Sequence, residues 1–113
     1  MKPRDIRVFL YDAKLACDRI LRFTADHTLD EYVGDELLRS AVERQFTVLG
    51  EALARARALD PGLEQRVADL TQIVAFRNRL IHNYEAINPH IVWAIVQTGV
   101  PTLRSLLEPE RNK

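Results

Sequence analysis

The chain has 113 residues, a length typical of one domain, and 47% hydrophobic with 28% charged residues describes a folded protein rather than a disordered one. Lys plus Arg and Asp plus Glu both number 16, so the formal net charge is zero and no strong global attraction to nucleic acid or membranes is expected. Any anionic substrate must therefore be held by a local basic cluster, or by one that is completed on association with another molecule. Cys17 is the single cysteine, which excludes an internal disulfide, and its place on an apolar helical stripe indicates a core residue rather than a nucleophile.

The sequence shows no apolar run long enough to span a bilayer and no signal peptide, because no long hydrophobic segment follows the charged residues 1–5. With one cysteine, these features predict a cytoplasmic protein in a reducing compartment. The three histidines and the cysteine are widely spread, so no zinc-ligand spacing appears, and we expect neither a metal nor a cofactor.

Apolar residues recur at steps of three and four along most of the chain, which predicts amphipathic helices. The first long helix is predicted over about residues 3–24. A polar connection follows, in which His27 is interpreted as a solvated loop histidine. Thr28 and Glu31 have the spacing of a capping box, which predicts a short helical turn over about residues 29–33.

The second long helix is predicted over about residues 36–59, with Asp35 as its N-cap. Gly50 is costly in the middle of this helix unless another element passes close to it. Three polar residues near the apolar stripe could form a buried polar network, or two of them could simply be solvated at the edge of the core: Arg44, Gln45 and Glu51.

A third long helix is predicted to begin at Asp60 and Pro61 and to end near Asn83. Apolar residues form one side of this helix. Arg77 falls on that same side, three residues after one apolar position and four before the next. An arginine on an apolar stripe indicates an interface or a cleft rather than an ordinary core position.

The last helix is predicted to begin at Asn88 and Pro89, and Pro101 should kink it because proline removes a backbone hydrogen bond. Trp93 lies off the main apolar stripe, which makes it a candidate for an association surface. Four long amphipathic helices with short connections predict an all-α, antiparallel, up-and-down four-helix bundle. We expect a single domain over 1–113, with the bundle in residues 1–108 and a polar tail in residues 109–113.

Polar side chains with useful chemistry concentrate in residues 76–84, at the end of the third predicted helix. Residues five apart on an α-helix are turned by roughly 140° and separated by ~7.5 Å along the axis, so Arg77 and His82 of one molecule do not face one point. Asn78 and Arg79 each share a face with His82, and Asn78 is suited to orient it. Arg77 would meet a His82 if the helix end unwinds, or if a second molecule presents its own stretch across a two-fold axis.

These residue types suit the cleavage of RNA, whose 2′-hydroxyl can attack the adjacent phosphorus without a metal. Histidine supplies a proton acceptor and donor near neutral pH, and arginine stabilises the charge that develops on the phosphate. DNA lacks the 2′-hydroxyl, so no DNA cleavage is expected. The same spacing also fits a simpler interpretation, in which the histidine complements the helix dipole and the arginines are solvated.

The segment from Arg77 to His82 resembles the R-x4-6-H signature of HEPN-domain ribonucleases. With Tyr84 added, it is similar to the R-x4-H-x-Y motif of the HepT-like family. Residues 41–52 are similar to the second-helix segment of that family, and residues 91–97 are similar to its last helix. The resemblance therefore covers nearly the whole chain, with three segments in the right order.

The resemblance implies an all-α HEPN bundle that forms a homodimer, in which two R-x4-H-x-Y stretches line a shared cleft. It implies a metal-independent ribonuclease toxin of a type VII-like toxin–antitoxin pair, with RNA as substrate. The implied antitoxin is a minimal MntA-like nucleotidyltransferase, which neutralises the toxin by adding AMP to the motif tyrosine. Carried over to this chain, Arg77 stabilises the phosphate, His82 is the acid and base, Asn78 and Arg79 support the site, and Tyr84 is the modification target.

Two other hypotheses remain open. The chain could be a non-catalytic module that binds nucleotide or RNA and acts as the partner of a nucleotidyltransferase, with Arg77 and His82 as phosphate ligands only. It could also be a purely structural dimerisation bundle.

One position departs from the family pattern, since Gln45 stands where an asparagine is expected.

Overall fold

The computed structural model describes residues 5–82 and 87–107, and every regular element in these ranges is helical. The elements in chain order are α1 (Ile6–Thr24), α2 (Leu29–Gly34), α3 (Glu36–Leu59), α4 (Leu63–Arg66), α5 (Leu70–His82), α6 (Pro89–Ala94), a π-helical turn (Ile95–Gly99) and α7 (Val100–Leu107). The predicted all-α fold is confirmed. No helix in the described ranges is both long and apolar enough to cross a bilayer.

The long helices α1 and α5 both pack along α3, and the shorter α7 packs against α1. Their apolar sides meet in one core, whose fully buried members include Ile20, Phe46, Leu49, Leu53 and Leu103. Cys17 is fully buried in this core, as predicted, and burial raises the pKa of its thiol to about 12. A thiol with so high a pKa forms little thiolate near neutral pH, so Cys17 acts as a small core residue.

Short polar side chains begin the helices where the sequence predicts them. Thr28 and Glu31 form the capping box at the start of α2, and the carboxylate of Asp35 caps α3. Asn88 caps α6 and is followed by Pro89 at the first helical position. Each cap satisfies backbone N–H groups that have no partner inside the helix, a contribution of about 1 kcal/mol.

The predicted continuous third helix is wrong in its first half, because the chain is divided into α4 and α5 by a break after Val67. Asp69 adopts a φ of 68°, in the left-handed region that an α-helix cannot contain. Asp60 does not begin a helix; it ends α3, and its carboxylate accepts hydrogen bonds from the backbone N–H of Gly62 at 3.1 Å and from Arg66 Nη2 at 2.6 Å. The predicted stop at Asn83 and the predicted polar tail lie outside the described residues.

The last helix is interrupted close to the predicted position. The π-helical turn Ile95–Gly99 directly precedes α7, whose second residue is Pro101. Proline has no N–H, so the carbonyl of Gln97 lacks its usual donor four residues later. The regular hydrogen-bond ladder therefore changes in the turn before the proline.

Trp93, a predicted candidate for an association surface, has a contact inside the chain, and its part in association stays a prediction. Its ring lies 5.4 Å from the ring of the fully buried Tyr32, measured between centroids, and the side chain is half-buried against the core. The indole therefore has an aromatic partner inside the chain, in the contact between α6 and α2.

Candidate active site

A cleft of about 620 Å³ runs along α3 between α1 and α5. Its walls combine apolar side chains with two carboxylates, from Asp12 and Glu51. Four arginines also line it: Arg19, Arg44, Arg55 and Arg77. The cleft therefore carries more positive than negative side chains, although the whole chain has a formal net charge of zero.

Arg77 reaches this cleft from α5 and is held by two acceptors. Its Nη2 donates a short hydrogen bond to Oε1 of Glu51 on α3, and its Nη1 donates to Oδ1 of Asn78 at 2.6 Å. The side chain is only 23% exposed, and its buried Nε has no partner among the described residues. The guanidinium is thus fixed in orientation, while the second N–H of Nη1 and the second N–H of Nη2 remain for an anion.

Glu51 binds two arginines at once. Arg55 Nε donates a hydrogen bond to Oε2 of Glu51 at 2.8 Å, while Arg77 donates to the other oxygen. The hydrogen bond from Arg55, together with the positive charge of Arg77, lowers the pKa of Glu51 below its ordinary value of 4.5 despite partial burial. A lowered pKa means that ionised Glu51 stabilises the fold above pH 4.5, and this contribution is lost as the pH falls through the folded-state pKa. At neutral pH Arg77 therefore keeps its counter-ion.

Gly50 allows Arg77 to cross α3. A Cβ atom added to Gly50 would collide with Cβ of Arg77 and lie 2.7 Å from its Cγ. It would also lie 3.4 Å from the carbonyl oxygen of Ile73. This close approach explains a glycine inside a long helix, where it costs about 1 kcal/mol relative to alanine. The expectation that another element passes close to Gly50 is confirmed.

The predicted network of Arg44, Gln45 and Glu51 forms only in part. Glu51 belongs to a polar network, but its partners are Arg55 and Arg77. Arg44 forms no hydrogen bond with Glu51 or Gln45 in the described chain, and it lines the cleft instead. Oε1 of Gln45 is buried and has no partner among the described residues.

The other predicted site residues are not gathered around His82. His82 is the last residue of α5 and is exposed to solvent. Asn78 bonds to Arg77, and no hydrogen bond joins it to His82 within the described chain. Arg79 is exposed, and Tyr84 lies outside the described residues. The roles assigned to His82, Asn78, Arg79 and Tyr84 therefore stay predictions.

Sequence reasoning missed two of the cleft arginines, Arg19 and Arg55. The spacing of Arg55 four residues after Glu51 indicates an ion pair along one helix face and could have been used. Arg19 lies seven residues after Asp12 and shares its face, but only the packing of α1 on α3 shows that this face borders the cleft. Within residues 5–82 and 87–107, no three His, Cys, Asp or Glu side chains form a group that could hold a metal ion.

Comparison with known proteins assigns the chain to a family. The family model of ribonuclease HepT-like proteins matches residues 13–109. The chain is 30% identical over 110 residues to "Putative RNase MJ1380" of Methanocaldococcus jannaschii, covering 96% of this chain and 98% of that protein. It is 35% identical over 106 residues to "Putative RNase MJ0127" of the same organism, covering 89% of this chain and 83% of that protein.

A further relative is "Probable ribonuclease HepT" of Thermococcus cleftensis, which is 25% identical over 113 residues, covering 96% of this chain and 98% of that protein. No solved structure matches the chain significantly. The chain belongs to the ribonuclease HepT-like family, and the predicted resemblance to that family is confirmed.

Replacing Gly50 with alanine tests the close approach of α5 to α3. Gly50→Ala should lower the free energy of unfolding by about 1–3 kcal/mol, because the new methyl group overpacks against Arg77. Urea denaturation followed by circular dichroism measures this change. Gly34→Ala is the matched control, since a Cβ there meets nothing within 4 Å, and its effect should stay within about 1 kcal/mol. Equal stability of Gly50→Ala and wild type would contradict the close approach.

Proposed function

We propose that this protein is an endoribonuclease that cleaves RNA without a metal ion, using Arg77 and His82. The observation that carries the proposal is the Arg77 guanidinium, fixed by Glu51 and Asn78 in the wall of the cleft. Membership of the ribonuclease HepT-like family supports the same activity, as do the names of its relatives.

In the proposed reaction the 2′-hydroxyl oxygen of one nucleotide attacks the adjacent phosphorus. The bond from phosphorus to the 5′ oxygen breaks, which leaves a 2′,3′-cyclic phosphate and a 5′-hydroxyl end. His82 accepts the proton of the 2′-hydroxyl, and a protonated His82 donates a proton to the leaving oxygen. Arg77 donates hydrogen bonds to the non-bridging oxygens, where negative charge increases in the transition state.

We propose that two copies complete the site. Arg77 lies in the cleft, whereas His82 lies five residues later and is turned by roughly 140° around α5. Ile81 lines the cleft and is 41% exposed, and Val8 and Tyr11 are exposed on the face of α1 that carries the lining residue Leu15. These apolar side chains suit a contact with a second copy, which would bring its own His82 to Arg77.

Cleavage of RNA in the presence of EDTA tests the activity. Purified wild type should cleave single-stranded RNA but not DNA of the same sequence, because only RNA carries the attacking 2′-hydroxyl. His82→Ala and Arg77→Ala should each lower kcat/KM by about 100-fold or more, measured with a fluorescent RNA substrate. His27→Ala is the matched control, since that histidine lies in the exposed connection between α1 and α2.

Equal cleavage by wild type and His82→Ala would reject the proposed mechanism. Binding of nucleotide or RNA with no cleavage in any buffer would instead indicate the non-catalytic partner of a nucleotidyltransferase.

Mixing two inactive variants tests whether one site uses residues from both copies. If Arg77 of one copy acts with His82 of the other, coexpressed Arg77→Ala and His82→Ala subunits form one intact site in each mixed dimer. Activity should then recover to about a quarter of the wild-type value, because half of the dimers are mixed and each contains one of two sites. If mixed dimers form but remain as inactive as each variant alone, then the site lies within one copy.

We further propose that the enzyme is a cytoplasmic toxin whose antitoxin is a nucleotidyltransferase that attaches AMP to Tyr84. The support is the motif, in which Tyr84 follows His82 by two residues, so that a nucleotide on Tyr84 would lie next to the proposed acid and base. The proposed role of Tyr84 rests on the sequence alone.

Expression in a bacterial host tests this regulation. Wild type should slow growth, and coexpression of the neighbouring nucleotidyltransferase gene should restore growth and add AMP to Tyr84, as measured by mass spectrometry. Tyr84→Phe should escape the modification, whereas Tyr11→Phe, which alters an exposed tyrosine of α1, should be modified like wild type. Growth rescue that is equal for wild type and Tyr84→Phe would show that another residue or another mechanism neutralises the protein.

A further inference from the structure

Two arginines in the cleft have no partner among the described residues: Arg19 of α1 and Arg44 of α3. Both side chains line the cleft, yet neither forms a hydrogen bond, ion pair or ring contact with a described residue. Most other arginines of the described chain are paired with carboxylates on neighbouring elements or turns, among them Arg57 with Glu64, Arg66 with Asp60 and Arg104 with Asp18. Arg19 and Arg44 are therefore positive groups without counter-ions among residues 5–82 and 87–107.

The packing of α1 on α3 brings the two arginines to the same level of the cleft. Arg55 of α3 lies over the ring of Phe9 of α1, with 6.0 Å between its Cζ and the ring centroid. Arg19 follows Phe9 by ten residues, and Arg44 precedes Arg55 by eleven. α1 and α3 pack along each other and are joined by the short connection 25–35, so they run in opposite directions. Both positions therefore lie roughly 15 Å from that contact in the same direction. Arg19 and Arg44 thus stand on adjacent walls of one end of the cleft.

The same end of the cleft lies beside the end of α5. Arg77 crosses α3 at Gly50. Glu64 accepts hydrogen bonds from Arg57, near the end of α3, and from Thr71, near the start of α5, so α5 runs antiparallel to α3. His82, five residues after Arg77, is therefore about level with Gln45, the neighbour of Arg44. The pair of unpartnered arginines lies next to the segment that carries the proposed acid and base.

The carboxylates of the cleft lie away from this end. Glu51 is already bound by Arg55 and Arg77. Asp12 lies seven residues before Arg19 on α1, or roughly 10 Å along the helix axis. Asp18, beside Arg19 in sequence, is bound by Lys14 and Arg104. The positive charge of Arg19 and Arg44 is therefore not cancelled locally.

We infer that Arg19 and Arg44 form a binding site for phosphate groups of the RNA strand, next to the phosphate that is cleaved at Arg77. This inference rests on the proposed ribonuclease function. Each guanidinium presents a planar fork of N–H donors that fits phosphate oxygens, and no ion pair has to be broken to use it. Arg44 lies about 9 Å along α3 from the level of Arg77, so the site holds phosphates close to the cleaved one along an extended strand.

Binding of a short fluorescein-labelled oligouridylate tests the site. The His82→Ala protein is used so that the RNA stays intact, and anisotropy is measured over a series of salt concentrations. Adding Arg19→Gln and Arg44→Gln should weaken binding by about tenfold to hundredfold and should reduce the salt slope by roughly 1.4, because each phosphate contact to a single strand contributes about 0.7. The matched control carries Arg22→Gln and Arg57→Gln, which remove the same charge from the same two helices outside the cleft.

Unchanged affinity and salt slope in the Arg19/Arg44 variant would overturn the inference. An equal loss in the control would also overturn it, because total charge would then explain the binding. Absence of any binding by the parent protein would overturn it as well. Circular dichroism and gel filtration show whether each variant keeps the fold and the oligomeric state, and a single Arg44→Gln variant replaces the pair if the pair does not fold.

Cleavage kinetics separate this inference from the proposed function. With His82 intact, the Arg19/Arg44 variant should raise KM more than it lowers kcat, because the two arginines hold the strand beside the reacting phosphate. Cleavage with normal KM in this variant rejects the phosphate site and leaves the ribonuclease proposal standing. RNA binding that depends on Arg19 and Arg44, in a wild-type protein that never cleaves RNA, rejects the ribonuclease proposal and supports the phosphate site.

Discussion

The close approach of α5 to α3 at Gly50 is the constraint on which the rest of the site depends. Only a residue without a side chain lets the aliphatic stem of Arg77 cross α3, and this crossing carries the guanidinium to Glu51. A partly buried cation is stable only when it is paired, and Glu51 with Asn78 supplies that pairing. Gly50 and Glu51 therefore determine together how α5 packs on α3 and where the Arg77 guanidinium lies in the cleft.

The distribution of charge explains how a chain with zero net charge can serve an anionic substrate. Six of the eleven arginines in the described residues are paired with carboxylates, and the formal net charge is zero, so little long-range attraction is expected. Arg19 and Arg44, the cleft arginines without a described partner, act locally, because ordinary salt screens their charge within about 10 Å. Such an arrangement favours contact with a strand that enters the cleft over loose attachment to any polyanion.

Much of the fold could be predicted from the sequence, because helix periodicity and capping residues are local. Asp35 and Asn88 cap helices as predicted, and Cys17 lies in the core. The break before Leu70 could not be predicted, because apolar spacing continues across it. Nothing in that spacing indicates that Asp69 adopts a left-handed φ. The site was predicted less completely, because its contacts join distant parts of the chain.

Arg77 and Glu51 illustrate this limit, because they are 26 residues apart and meet only when α5 lies on α3. Residue spacing indicated that Arg77 was unusual but could not identify its partner. Arg19 was missed for the same reason, since α1 alone does not show which of its faces borders a cleft. Which residues share a face of one helix can be read from their spacing in the sequence. Which residues of two helices touch depends on how the helices are aligned along each other.

The π-helical turn at Ile95–Gly99 has a consequence for length changes in the last helix. Val96 of the turn and Val100, Leu103 and Leu107 of α7 are all buried, so one apolar side continues from the turn into α7. A π-turn holds one residue more than an α-turn, so loss of one residue from Ile95–Gly99 would close it to an α-turn. Loss of one residue between Val100 and Arg104 would instead rotate the rest of α7 by about 100° and move Arg104 away from Asp18. Asp18 is the neighbour of Arg19, so α7 supports the wall of the cleft through the bond from Arg104 to Asp18. A change in the length of α7 would therefore disturb this wall more than a substitution on its surface.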